Sequence, residues 1–158
     1  MQPVFAFSEK KCNINCMKMK PYRRKANYYE TDQMGIIHHS NYIRWFEEAR
    51  VDFLEQLDFS YKKVVEHGIE FGLLDVYCEY KSMLRFGDIV DVYVSLTEIK
   101  NMKMTINYKI IDVASGELCT LGKTQHFFYD RNEKRPVALK KAIPELYEFF
   151  STLCKQAT

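Results

Sequence analysis

An α+β protein, one long helix set against consecutive antiparallel strands, is predicted by three observations. Residues 40–57 place apolar side chains at helical spacing, residues 69–129 alternate apolar and polar with a period of two, and short polar connections separate the alternating runs. Strands joined by such short turns pair antiparallel.

Residues 22–29 alternate weakly and are expected as a first strand. A polar turn, Thr31-Asp32-Gln33-Met34-Gly35, leads through Ile36-Ile37-His38-His39-Ser40 into the helix. There Tyr42, Phe46, Ala49, Phe53 and Leu57 form an apolar stripe flanked by Trp45 and Leu54, with Arg44, Glu47, Glu48, Asp52 and Glu55 on other faces. Ser60 suits the N-cap of a shorter helix ending at Gly68, a residue fitted to the left-handed position after a helix. Residues 71–80 form the next strand. Val90, Val92, Val94 and Leu96 then alternate with Asp91, Tyr93, Ser95 and Thr97, and Met104, Ile106, Tyr108 and Ile110 alternate with Lys103, Thr105, Asn107 and Lys109. Residues 118–129 complete the sheet, with Lys100-Asn101 and Ser115-Gly116 as turns. Pro144 opens a terminal helix carrying Leu146, Tyr147, Phe149 and Phe150. The expected sheet has five strands. One long helix cannot cover both of its faces, so the concave face wraps the helix and a second copy buries an edge or face, giving a homodimer at least and a homotetramer as the fuller expectation.

Composition agrees with one folded domain. In 158 residues, 47% are hydrophobic and 28% charged, enough to bury a core and too apolar for a disordered chain. The aromatic share is 15%, with 11 Tyr and 11 Phe, which implies a ring-lined core, an apolar pocket or a subunit interface. A net charge of +2 is too near neutrality for a nucleic-acid binder that relies on phosphate contacts. That charge is concentrated in Lys10, Lys11, Lys18, Lys20, Arg23, Arg24 and Lys25, opposed between residues 9 and 25 by Glu9 alone. Residues 1–19 are therefore read as a basic extension, open to disorder, and residues 20–153 as the domain. Met17 and Met19 are both candidate starts.

No apolar run is long enough to span a membrane, and the first eight residues lack a signal-peptide pattern, so the expected location is cytoplasmic. Five cysteines, Cys12, Cys16, Cys78, Cys119 and Cys154, include no C-x-x-C pair, which fits a reduced compartment. Cys12 and Cys16 have no nearby histidine, and no metal site is expected.

The stretch from Tyr28-Tyr29-Glu30-Thr31-Asp32 through Gly35-Ile36-Ile37-His38-His39-Ser40-Asn41-Tyr42, continued by Trp45-Phe46-Glu47-Glu48-Ala49-Arg50, resembles the signature of the hotdog-fold acyl-CoA thioesterases. It looks most like the 4-hydroxybenzoyl-CoA thioesterase type and the Tol-Pal-associated thioesterases. Phe86-Gly87-Asp88 resembles that family's Gly-Asp turn, and Lys141-Ala142-Ile143-Pro144 its C-terminal segment, so the likeness covers about residues 20–150. It implies a hotdog fold, hydrolysis of an acyl-CoA or acyl carrier protein thioester, and no cofactor beyond the CoA of the substrate.

The family's catalytic carboxylate falls on Asp32. A desolvated carboxylate beside a thioester can attack the carbonyl or activate water, and the sequence leaves both open. Free N–H groups at the helix start can polarise the carbonyl oxygen, and the resemblance places that donor at His39, whose ring can alternatively orient water or contact the acyl group. Taken alone, Asp32 reads first as the residue that closes its turn; within the full motif the catalytic reading comes first. Gly35 permits close approach or positive φ. Tyr28 reads as substrate contact or strand core, and His38 as packing. Met34, Ile36, Trp45, Phe46 and Phe53 are expected near the acyl group, or in the case of the helix stripe as plain core. Glu47 and Glu48 read as a solvated face or as partners of Arg44 or Arg50. The phosphates of CoA call for a basic pocket mouth, for which Arg131, Lys134, Arg135, Lys140 and Lys141 after the last strand, and Arg85, Lys100 and Lys103 near turns, are candidates. The competing reading is a non-catalytic hotdog module that binds acyl-CoA. A hotdog hydratase or dehydratase fits less well, because those resemble a different Asp/His spacing.

Overall fold

The computed structural model describes residues 19–57, 64 and 66–156. Most of the basic extension, with Cys12 and Cys16, and the Ser60 cap lie outside the described residues. The chain runs β1 (Tyr22–Lys25), a 3-10 turn (Tyr28–Glu30), α1 (His39–Gln56), β2 (Ile69–Tyr80), β3 (Ile89–Ile99), β4 (Lys103–Asp112), β5 (Leu118–Asp130), β6 (Arg135–Pro136), α2 (Leu139–Ala142) and α3 (Pro144–Gln156). The strands lie in the order β1-β3-β4-β5-β2, all paired antiparallel, and the two-residue β6 folds back on β5.

The predicted helix stripe is the buried one: Tyr42, Trp45, Phe46, Ala49, Phe53 and Leu54 face the interior. Met104, Ile106, Tyr108 and Ile110 of β4 are buried in the same core. Phe46 stacks on Tyr108 with ring centroids 4.5 Å apart. Gly122, the register partner of Tyr108, makes that contact possible, since a Cβ there would stand 2.3 Å from Cζ of Phe46. α3 packs against β3 and buries Leu146 and Phe150.

Two expectations are corrected. The first strand stops at Lys25, because the backbone turns at Asn27 so that its N–H reaches the carboxylate of Glu30 at 2.8 Å. The short β6 and α2 were not foreseen; neither is long enough to show a period.

One polar cluster sits inside the apolar core. Arg50 projects from the buried side of α1, with Nη1 3.0 Å from Nε2 of His126 on β5, and Nε2 of that imidazole lies 2.9 Å from the Thr124 hydroxyl. Tyr108 completes the chain, its hydroxyl 3.0 Å from the same Thr124 oxygen. Burial first, and then the Arg50 charge, depress the pKa of His126 from 6.5 to about 3. In the unfolded chain His126 takes up a proton near pH 6.5, whereas in the folded chain it does so only near 3, so stability falls as pH drops through that interval. Urea denaturation between pH 7 and 5 is expected to show a midpoint declining with acidity, with most of that decline absent in His126→Gln. An equal decline in the variant would assign the effect to other groups.

Candidate active site

Asp32 occupies the first position of a tight turn: its carbonyl accepts the Gly35 N–H at 2.9 Å and its N–H donates to Ile36 at 2.8 Å. Gly35 takes φ +72°, and a Cβ there would meet only Nη1 of Arg85 at 3.8 Å, an ordinary contact, so backbone conformation and not crowding requires glycine here. One carboxylate oxygen, Oδ1, accepts the Met34 N–H at 2.8 Å, as aspartates do in such turns, and Oδ2 has no hydrogen bond among the described residues. Holding the turn thus uses one oxygen of Asp32 and leaves the other uncommitted.

Glu30 ties this turn to the rest of the molecule. It is 5% exposed, an uncommon depth for a carboxylate, and its two oxygens accept Nη2 of Arg24 at 2.8 and 2.9 Å, Nε1 of Trp45 at 2.8 Å and the Asn27 N–H at 2.8 Å. Its main-chain oxygen accepts the His38 N–H and the Asn41 side-chain amide, both at 2.8 Å. Arg24 also lies over the Trp45 ring, 4.5 Å from its centroid, and pairs with Glu48 at 2.7 Å. Glu30, Arg24 and Asn41 were not singled out from the sequence; the one available signal was an acidic residue directly after two aromatics in a stretch read as strand.

At the start of α1, His38 is the cap and not a packing residue. Its Nδ1 accepts the Ser40 N–H at 3.2 Å and lies 2.8 Å from the Ser40 hydroxyl. Its ring stacks on His39 at 4.0 Å. His39 is the first residue of the helix, and its N–H has no acceptor among the described residues, as helix geometry dictates for a first turn. The N-terminal end of the helix dipole favours negative charge beside this free N–H. The His39 carbonyl accepts the Tyr80 hydroxyl at 2.9 Å.

The remaining candidates divide. Met34 and Gly35 are exposed, Ile36 is partly buried, and Tyr28 stands 75% exposed, packed edge-on against the exposed Phe86 at 5.7 Å, so it is not strand core. Ile36 bridges to Arg85, which brings the 83–86 loop beside the Asp32 turn. Trp45 and Phe46 are interior in the single chain, the first held by Glu30 and the second by Tyr108. Glu48 pairs with Arg24 instead of a neighbour on its own helix, while Glu47 lies 3.9 Å from Arg50.

The basic candidates also separate. Tyr80, beside His39, pairs with Thr120, whereas Ile69 pairs with Asp130, so the 131–135 turn lies at the opposite end of the sheet from Asp32. Lys100 and Lys103 flank a hairpin at that far end, where Leu139 bonds Asn101 and brings α2 with Lys140 and Lys141. Arg85 is the one basic candidate at the Asp32 end of the chain. Among the described residues no group of His, Cys, Asp and Glu could hold a metal ion.

Three comparisons place these features among known proteins. Residues 27–149 match the profile of the Thioesterase-like superfamily. A candidate acyl-CoA thioesterase of Bacillus subtilis is 31% identical over 121 residues, 77% of this chain and 87% of its own length. A candidate esterase of Aquifex aeolicus is 47% identical over 101 residues, 63% of this chain and 79% of its own. The crystal structure of a DHNA-CoA thioesterase from Staphylococcus aureus superposes with a TM-score of 0.80 at 31% identity, covering 87% of this chain and 91% of that one.

Removing the Glu30 carboxylate tests the anchoring of the site. Glu30→Ala leaves the buried Trp45 indole N–H and Nη2 of Arg24 without their acceptor, while Glu48 still pairs Nη1 of Arg24, and is expected to cost about 1–3 kcal/mol in urea denaturation. Trp45, the single tryptophan, should report the lost partner as a shifted emission maximum. A cost near zero would show that the anchor lies elsewhere.

Proposed function

This chain belongs to the Thioesterase-like superfamily, has its hotdog fold and is a thioester hydrolase, and from that premise we propose that it cleaves acyl-CoA, or an acyl carrier protein thioester, at Asp32. The observation that carries the reading is the pairing of two unspent groups on one rigid frame. Oδ2 of Asp32 and the N–H of His39 both lack a partner among the described residues, and both belong to segments fastened to Glu30. The relatives act in this direction as well, by the acyl-CoA and DHNA-CoA activities in their names.

The chemistry follows from those two groups. With the thioester oxygen on the His39 N–H, the carbonyl carbon is open to addition, and the charge gathered on oxygen is met by a donor already in place. In one route Oδ2 of Asp32 adds to that carbon, the C–S bond breaks, CoA leaves as thiolate, and water then cleaves the acyl-aspartyl anhydride to acid and free carboxylate. In the other, Asp32 takes a proton from a water whose oxygen adds to the carbon, and the proton passes to the departing sulfur. Both consume one water and yield one acid and one thiol.

The functional unit in this reading is a pair of chains. β2 is a twelve-residue strand at the open edge of the sheet, with Leu73, Leu74, Tyr77 and Tyr80 exposed, a surface that isolated chains pair or cover. A twofold axis pairing two such edges antiparallel sets the Ile69 end of one copy beside the Tyr80 end of the other. That brings the basic 131–135 turn of a second copy toward the Asp32 site, supplying the phosphate-facing charge that a single chain keeps at its far end.

Two measurements test this. Asp32→Asn and Asp32→Ala are each expected to abolish thiol release across short, long and aromatic acyl-CoAs while leaving the folded circular dichroism spectrum intact; wild-type rates in the Asn variant overturn the assignment. Wild-type protein that binds these thioesters and hydrolyses none of them favours the binding-module alternative. Leu73→Asp is expected to shift the protein toward monomer in light scattering and to lower activity with it, and an unchanged mass rejects β2 as the pairing edge.

A further inference from the structure

Tyr80 ends the open edge strand, and its hydroxyl donates to the His39 carbonyl across 41 residues of sequence at 2.9 Å. Its ring meets Tyr42 edge-on, with centroids 5.1 Å apart and planes at 79°. Tyr42 is buried in the first turn of α1, so one edge of the half-exposed Tyr80 ring rests on a fixed neighbour while its hydroxyl reaches His39. His39 is thereby held from both sides. On its N-terminal side, the His38 N–H is taken by Glu30 and the His38 carbonyl by Asn41 at 3.0 Å. On its C-terminal side, the Tyr80 hydroxyl takes the carbonyl. Between these fixed points lies the His39 N–H.

We propose that Tyr80 is a positioning residue for thioester hydrolysis, holding the His39 carbonyl so that the adjacent N–H points to where charge develops on the substrate oxygen. The inference rests on the reading of His39 as oxyanion donor. A main-chain donor at a helix start has no side chain to steer it, and its direction is set by the two peptide units around it. Helix N-termini fray, and a side chain from another element is what prevents that. Burial, followed by the neighbouring Cys78 thiol, raises the Tyr80 pKa above its ordinary value, so the hydroxyl keeps its proton throughout the working range. The same residue joins the reacting centre to the strand that a second copy is proposed to pair with, so the order of that edge reaches the donor through one hydrogen bond.

The substitution Tyr80→Phe deletes the hydroxyl and keeps the ring on Tyr42. Thiol-release kinetics are expected to show kcat about tenfold lower with KM within about twofold, because a donor is loosened and not removed. Backbone resonances of the His39 carbonyl and amide in the substrate-free protein should shift, with the thermal midpoint and oligomeric state unchanged. An active wild type matched by Tyr80→Phe in kcat, or a rise in KM alone, overturns this proposal and leaves the thioesterase reading standing. Unmoved His39 resonances likewise overturn it. A wild type that hydrolyses no acyl-CoA overturns the thioesterase reading and this proposal together.

Discussion

A carboxylate removed from water must find its donors inside the protein, and the Glu30 carboxylate finds them on three separate elements. Arg24 comes from β1, Trp45 from α1, and the Asn27 N–H from the turn between them. Any displacement of one element leaves a buried charge or a buried indole N–H unmet, at a cost well above that of a surface contact. This constraint sets the entry of α1 relative to the sheet. It also explains how Asp32 can be rigid and chemically unspent: the turn is fastened two residues upstream, by Glu30, so that only one oxygen of Asp32 is used to hold it.

The molecule divides its polar groups by depth. Deep in the core, Arg50, His126, Thr124 and Tyr108 satisfy one another between α1 and the sheet, although Nε of Arg50 has no partner among the described residues. Near the surface, the Glu30 network ends where an exposed apolar rim begins, made by Tyr28, Met34, Met83 and Phe86 around the Asp32 turn. The Asp32 carboxylate at this boundary has a backbone fastened to Glu30 behind it and apolar surface in front, and a ligand or second chain seated on that rim would strip it of water.

Much of this was legible in the residues themselves. The helix stripe from Tyr42 to Leu54 and the alternation along β3 and β4 appear as written, since burial on one face of a helix or strand imposes its own period. The Asp32 turn was visible through its Gly and polar residues. The strand expected through residue 29 was not a strand, because weak alternation cannot compete with a carboxylate three residues on that captures the Asn27 N–H. Trp45 was open to two readings, acyl contact or core, and in the single chain its ring is interior with its indole N–H on Glu30. The basic residues formed one group by composition and two by position, with Arg85 at the Asp32 end and the others at the opposite end of the sheet.

Sequence alone determined the α+β class, the order of the main elements and the apolar faces, and it singled out the stretch that forms the candidate site, because each depends on spacing within one segment. Tertiary structure decided that Glu30 is the anchor, that His38 caps while His39 keeps a free N–H, that Tyr80 reaches His39, and which charged residues stand near Asp32. Those outcomes depend on strand register and on how α1 crosses the sheet. Residues 41 apart meet because β2 ends where α1 begins, and no local period encodes that meeting.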